Sequence, residues 1–326
     1  MMHSTLDRHG FVTVAVALDK HTPALVESAS QLAAKLGKRL ALIHVVEPWA
    51  ELPASAPFGE GDPLWNVTQA VETSAVEKAR ARLADIAGMM PPKLDTVMLV
   101  LRGKPVEVIV REAGQLGTCL LVVGIDHGGS RFLPTGFSTA FSLLVGAPMP
   151  VLAIDATLGR MPDWGRLRLM LADDLGRHSD TAVEFSAMLT AGLGNAELHH
   201  VHVNALSAES LRAGLAQAAA SAHTPLDERT SAADVYAALL AELEAKLRSR
   251  VDAQRDYMEA ERVAYSPRIV TGPVLEQLSE AAASVDPDVI AFGRHHAYYT
   301  KPFVVGRVPY RAMLAQKRPI IVVPND

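Results

Sequence analysis

Short, mostly apolar runs alternate with amphipathic stretches along this chain. Val12-Thr13-Val14-Ala15-Val16 is rich in β-branched residues and reads as a buried strand. After Asp19-Lys20-His21-Thr22-Pro23, the residues Leu25, Ala29, Leu32, Ala33 and Leu36 fall on one helical face, and Gly37 stops the helix. Leu40 to Val46 is a second strand, Trp49 to Pro63 a Pro- and Gly-rich loop, and Val67 to Met89 a long amphipathic helix. Thr96 to Leu101 is a third strand. The turn Arg102-Gly103-Lys104-Pro105 leads into a helix with Pro105 in its first turn. Leu120 to Val123 and Val151 to Ile154 complete five strands. Continuous apolar strands separated by helices predict a parallel sheet covered on both faces.

The pattern then restarts. Ala156 to Gly165, with Gly159 and Pro162, reads as a linker, and Leu167 to Ala172 as a new first strand. His178, Val183, Glu184, Leu189 and Gly194 match His21, Val26, Glu27, Leu32 and Gly37 at one offset. The strand Leu198 to Val203 follows, with His202 echoing His44. Leu206 to Ala264 is Ala-rich and helical by periodicity. Thr271-Gly272-Pro273 repeats Gly103-Lys104-Pro105 with one residue fewer between Gly and Pro. The stretch from Val289 to Pro324 repeats the one from Leu120 to Ile154, with Gly124, His127 and Pro150 matching Gly293, His296 and Pro319 at a second constant offset. Each copy carries its own five strands, so the repeat marks a duplicated domain. The expected domains span residues 10–156 and 165–326, with a helical insert at about 206–264.

The 326 residues suit two domains, and 49% hydrophobic content supplies two cores. A net charge of −5 argues against nucleic acid and anionic membrane as partners. The single cysteine, Cys119, precludes an internal disulfide and makes a reducing cytoplasm the expected compartment. The first ten residues show neither an apolar signal region nor an element pattern and are expected to be a leader outside the fold, and no run is long enough to span a membrane.

The Asp-rich end of the sixth strand (Ala172-Asp173-Asp174-Leu175-Gly176-Arg177-His178-Ser179), the Gly-Lys-Pro and Gly-Pro turns, and the ending Ala-Pro-Met-Pro-Val-Leu-Ala-Ile together resemble the universal stress protein family, in its tandem two-domain form. The resemblance covers nearly the whole chain. It implies two Rossmann-like, doubly wound α/β domains of strand order 3-2-1-4-5, with ligands at the switch point between strands one and four. It also implies a non-enzymatic stress-response or ligand-sensing role in which ATP or another adenine nucleotide is the candidate ligand. Family members that bind ATP carry Gly, two residues, Gly, nine residues, Gly, then Ser or Thr. The second copy has that spacing as Gly293, His296, Gly306 and Arg307; the first has Gly124, His127, Phe137 and Ser138, with Gly128 nearby. The family's strand-one aspartate falls on Asp174 in the second copy and on Ala17 in the first. Pairing of the fifth strands, Val151 to Ile154 with Ile320 to Val323, is expected to make an intrachain pseudo-dimer, and dimerisation of the whole chain is a weaker expectation.

The candidate ligand site is therefore assigned mainly to the second copy: Asp174, Gly176, Gly272, Gly293, Arg294, His296, Gly306 and Arg307, with Gly124, Gly128 and Ser138 as its remnant in the first. Gly293 to Asn325 contains no Asp or Glu but holds Arg294, Lys301, Arg307, Arg311, Lys317 and Arg318, which favours a small anionic ligand or nucleotide. Arg307 admits two roles: donating to a phosphate, or filling the phosphate position itself. His199, His200 and His202 have no Cys or paired carboxylate beside them and read as sheet histidines, not metal ligands. No catalytic motif is present. The competing readings are a weak ATPase, which nucleotide turnover would reveal, and a ligand-free interaction protein, which a thermal-shift nucleotide panel would reveal.

Overall fold

The computed structural model describes residues 10–48, 63–91, 93–125, 138–222, 232–294 and 317–325. They form two compact units, Met1–Trp164 and Gly165–Asp326.

In the first unit the strands are β1 (Phe11–Ala15), β2 (Arg39–Val46), β3 (Thr96–Arg102), β4 (Thr118–Gly124) and β5 (Val151–Ile154). All pair in parallel, in the order β3-β2-β1-β4-β5. The helices α1 (Thr22–Lys35), α2 (Pro63–Ala87), α3 (Pro105–Gln115) and α4 (Thr139–Gly146) are the crossovers. Leu40, Leu42, Leu120, Leu121, Val122, Val151 and Leu152 have no exposed surface, because a strand covered on both faces buries every side chain. Pro23 and Pro105 pre-set the first turns of α1 and α3. The stretch after β5 that joins the two units is tied to the first. Asp155 caps a 3-10 turn over Ala156–Leu158, and Trp164, 2% exposed, donates its indole N–H to Ser28 Oγ on α1 at 2.9 Å.

The second unit repeats the order as β8-β7-β6-β9-β10, again all parallel. Its strands are β6 (Arg168–Ala172), β7 (Glu197–Asn204), β8 (Ala264–Thr271), β9 (Val289–Arg294) and β10 (Ile320–Pro324). Helix α5 (Asp180–Leu193) follows β6, and α9 (Val274–Val285) joins β8 to β9. The segment expected as a helical insert is the β7–β8 crossover, built from α6 (Ala208–Ala222), α7 (Ala232–Asp252) and α8 (Arg255–Ala260). It is the counterpart of the β2–β3 connection and only modestly longer. Leu247, Val251 and Met258 are buried, so this crossover is part of the unit's core. Pro267 sits in the middle of β8 opposite His200, a position tolerated because β8 pairs only with β7 among the described residues. No helix among the described residues is long and apolar enough to cross a membrane.

The two repeated turns obey one backbone rule. Gly103 (φ 135°) and Gly272 (φ 142°) end β3 and β8, and their N–H groups donate to Val46 O and Asn204 O. A Cβ at Gly103 would lie 2.8 Å from Val108 Cγ2, in a buried side chain, whereas one at Gly272 would meet Gln277 Cγ at 3.1 Å. Both Gly→Ala changes are expected to destabilise by about 1–3 kcal/mol through the left-handed φ. Gly103→Ala should cost more, since a flexible glutamine can withdraw and a packed valine cannot. Urea unfolding of the two full-length variants checks this; equal or reversed costs would show that the side-chain clash does not matter.

Candidate functional site

The carboxyl end of β6 separates two adjacent carboxylates. Asp173 is 3% exposed and turns into the unit; Asp174 turns out to solvent. The chain then passes through Leu175 with φ 61°, as the first unit does at Leu18 with φ 58°. A left-handed backbone costs a non-glycine residue about 1–2 kcal/mol. In the second unit Asp173 Oδ1 holds the turn by accepting the Leu175 N–H at 2.8 Å. Asp174 Oδ1 accepts the Gly176 N–H at 2.9 Å and the Ser179 hydroxyl at 2.5 Å. In the first unit Asp19 Oδ1 does comparable work, accepting the N–H groups of His21 and Thr22, each at 2.9 Å, and the Thr22 hydroxyl.

Behind the turn lies a buried polar chain. His200, without exposed surface, places Nε2 2.9 Å from Asp173 Oδ2 and Nδ1 3.0 Å from the Tyr265 hydroxyl. A carboxylate only accepts, so Nε2 carries the proton, and in the neutral ring Nδ1 accepts from Tyr265. Burial pushes the Tyr265 phenol up, further helped by the Asp173 and Asp252 charges and partly offset by Arg248. The phenol therefore keeps the proton that it donates. Arg250, from the last turns of α7, closes the group. Its Nη2 donates to Gly176 O at 3.0 Å and pairs with Asp180 Oδ1 at 2.8 Å. Its Nε lies 2.8 Å from Asp173 Oδ2, a charge contact off the line that a hydrogen bond requires. Burial raises the Asp173 carboxyl, but the His200 hydrogen bond, the Arg250 charge and the Leu175 N–H outweigh it and hold the group below its ordinary value.

The first unit lacks this set. The Val16 N–H bonds to Ile43 O as the Asp173 N–H bonds to Val201 O, both at 2.9 Å, so Val16 stands for Asp173 and Leu42 for His200. Both are buried. The echo of His44 in His202 is structural: each donates Nδ1–H at 2.8 Å to the carbonyl at the end of its unit's first strand, Val16 O and Asp173 O. His199 pairs with Glu197 at 3.3 Å. Among the described residues no group of three or more His, Cys, Asp or Glu side chains is arranged to hold a metal ion.

The register Ala172↔Phe292 brings Asp173-Asp174 beside Gly293-Arg294 where β6 and β9 leave the sheet. Gly176 follows in the same turn, and a Cβ there would meet the Asp174 carboxylate at 3.1 Å. Gly272 is not gathered with them. It ends β8, two strands from β6, hence about 10 Å away at ordinary strand spacing. In the first unit Gly124 ends β4, and Ser138 caps α4 by accepting the Phe141 N–H at 3.2 Å. Gly128, His296, Gly306 and Arg307 lie outside the described residues. Two of the counted cations belong elsewhere: Lys317 and Arg318 precede β10, at the amino end of the sheet, and Arg318 donates to Asp286 Oδ1 at 2.9 Å. Sequence reasoning passed over Asp173 and Arg250. A signal existed for the second, a cation between Leu247 and Val251 on the buried face of α7.

Asp173→Asn should destabilise the second unit by about 3–5 kcal/mol, because it leaves Arg250 without its buried counter-charge. The lowered carboxyl fixes the sign of the pH effect. Its stabilisation is complete above the unfolded value of about 3.9 and is lost as pH falls through the lower folded value. Denaturant unfolding from pH 7 into that acid range should show a steeper loss in the wild type than in Asp173→Asn. Parallel profiles would remove Asp173 as a source of acid sensitivity.

A model of the universal stress protein family matches residues 11–155 and, again, residues 166–324. No curated protein matches the chain. Among solved structures, a universal stress protein from Archaeoglobus fulgidus DSM 4304 is 14% identical, with 100% of both chains covered and a TM-score of 0.60. A functionally unknown protein from Pseudomonas aeruginosa PAO1 is 14% identical, with 100% of this chain and 95% of that one covered and a TM-score of 0.55. At such identity these likenesses speak for the fold alone. The double match of one family model, spanning nearly the whole length, establishes that this chain belongs to the universal stress protein family and carries its domain twice in tandem.

Proposed function

We propose that this chain is a non-enzymatic ligand-sensing module of the stress response that takes one anionic ligand, an adenine nucleotide, in its second unit. The observation that carries this reading is the juxtaposition at the β6–β9 switch point. There Gly293 and Arg294 leave the sheet beside Asp174 and Gly176, at the crevice where open parallel sheets take ligands. The first unit has Ala17 where the second has Asp174, and Phe137 where the second has Gly306. Ala17 offers no side-chain acceptor to a base or sugar, and a phenylalanine beside a helix start crowds a phosphate. The second unit is therefore the occupied one, with Arg307, which stands at the family's Ser/Thr position in the sequence, as its proposed hydrogen-bond donor to the phosphate.

Titration calorimetry of the full chain with ATP, ADP and AMP should give one site per chain. Arg307→Ser should weaken binding by about 1.5–3 kcal/mol, as for a lost charge-assisted hydrogen bond. Tighter binding by that variant would make Arg307 a plug. Binding that survives Arg307→Ser unchanged and vanishes on altering Gly124 would move the site to the first unit. Steady turnover of ATP by the purified protein would replace the sensing role with hydrolysis.

A further inference from the structure

The Arg250 side chain is 10% exposed. Its guanidinium meets three acceptors at the carboxyl end of β6: Asp173 Oδ2, Gly176 O and Asp180 Oδ1. They belong to the strand end, the turn and the start of α5, all on the β6 side of the switch point. A ligand held there would offer hydrogen-bond donors to these atoms, because carboxylates and carbonyls only accept. We infer that Arg250 is an intramolecular stopper of the crevice, taking up in cis the acceptors that a ligand's donors would meet. This rests on the reading of the second unit as a ligand site.

Stability alone does not call for the arrangement. The first unit fills the equivalent positions with Val16 and Leu42, and apolar sets of similar volume are commonly as stable as buried ion pairs. Helix α7 is pinned by Leu247 and Val251, both buried, so opening consists in withdrawal of the guanidinium and not of the helix. Arginine suits this, being long, torsionally free and placed near the helix end. Asp180, with its side chain 64% exposed, is the outer contact and the first to be released.

The test uses the full chain. Arg250→Ala should bind ATP about tenfold more tightly than the wild type, as expected when a mostly closed site is opened. Millimolar methylguanidinium, which refills the gap, should return the affinity toward the wild-type value. A variant that is folded by circular dichroism and binds no more tightly overturns the inference. Should Arg250→Ala not fold, Asp180→Asn weakens the stopper at an exposed contact and should tighten ATP binding about threefold; an unchanged or weaker affinity overturns the inference equally. If neither the wild type nor the variants bind any nucleotide, it is the nucleotide reading that fails. The stopper is then read from methylguanidinium alone: saturable thermal stabilisation of Arg250→Ala with none in the wild type upholds it, and no difference overturns it.

Discussion

A carboxylate with no exposed side-chain surface has to be surrounded by donors, and in the second unit that requirement ties together four parts of the fold. Asp173 takes a proton donor from β7 through His200, a backbone N–H from its own turn through Leu175, and a cation from α7 through Arg250. β8 enters through Tyr265, which orients His200 by donating to its other nitrogen. None of these groups could be withdrawn, unless another donor takes its place, without leaving a buried charge or dipole unmet, a cost of several kcal/mol for a charge. The crossover carrying α7 is for this reason fixed to the sheet at its carboxyl end as well as by its apolar face.

The first unit supplies the control. At the same register Val16 and Leu42 close the sheet by burial alone, and the turn is held by Asp19, further along the chain. The same left-handed leucine follows the strand in both units. Fold and turn thus persist whether the strand end is apolar or ionised. What the ionised version adds is a directional set of acceptors and a cation that fits them.

The parts of this architecture that depend on local periodicity were readable before any coordinates. Val12 to Val16, Leu40 to Val46 and Leu120 to Val123 are almost wholly apolar, broken only by Thr13 and His44, because both sheet faces are covered, and the turns at Gly103 and Gly272 announce themselves by Gly-x-Pro and Gly-Pro. Asp173 and Arg250 were not readable in this way. Which of two adjacent aspartates turns inward depends on the strand's pleat at its last residue, and both read alike in a row. The partner of Asp173 lies on a helix far along the chain, where one arginine among Arg248, Arg250 and Lys246 looks like part of a solvated face. The packing of the linker was not readable for a related reason. Gly159 and Pro162 signal a break, yet the indole of Trp164 finds Ser28 on α1 and binds the segment to the first unit.

Counting charges also misleads unless each is placed at an end of the sheet. Parallel strands send all their carboxyl ends one way, so a residue before a strand and a residue after it lie at opposite ends of the unit. Lys317 and Arg318 precede β10 and stand away from the crevice, Arg318 being tied to Asp286. Arg294 ends β9 and stands at it. On the β6 side of the switch point the groups are acceptors: the exposed carboxylates of Asp174 and Asp180 and the Gly176 carbonyl, which already accepts from Arg250. An anion placed there would meet oxygen lone pairs and a guanidinium already shared between two carboxylates. On the proposed ligand reading, its place is the β9 side, near Arg294. On the same proposal, a ligand with a phosphate at one end and hydrogen-bond donors at the other would lie with its phosphate toward β9 and its donors toward β6, a polarity that rests on strand direction and on which acceptors stand at the end of β6.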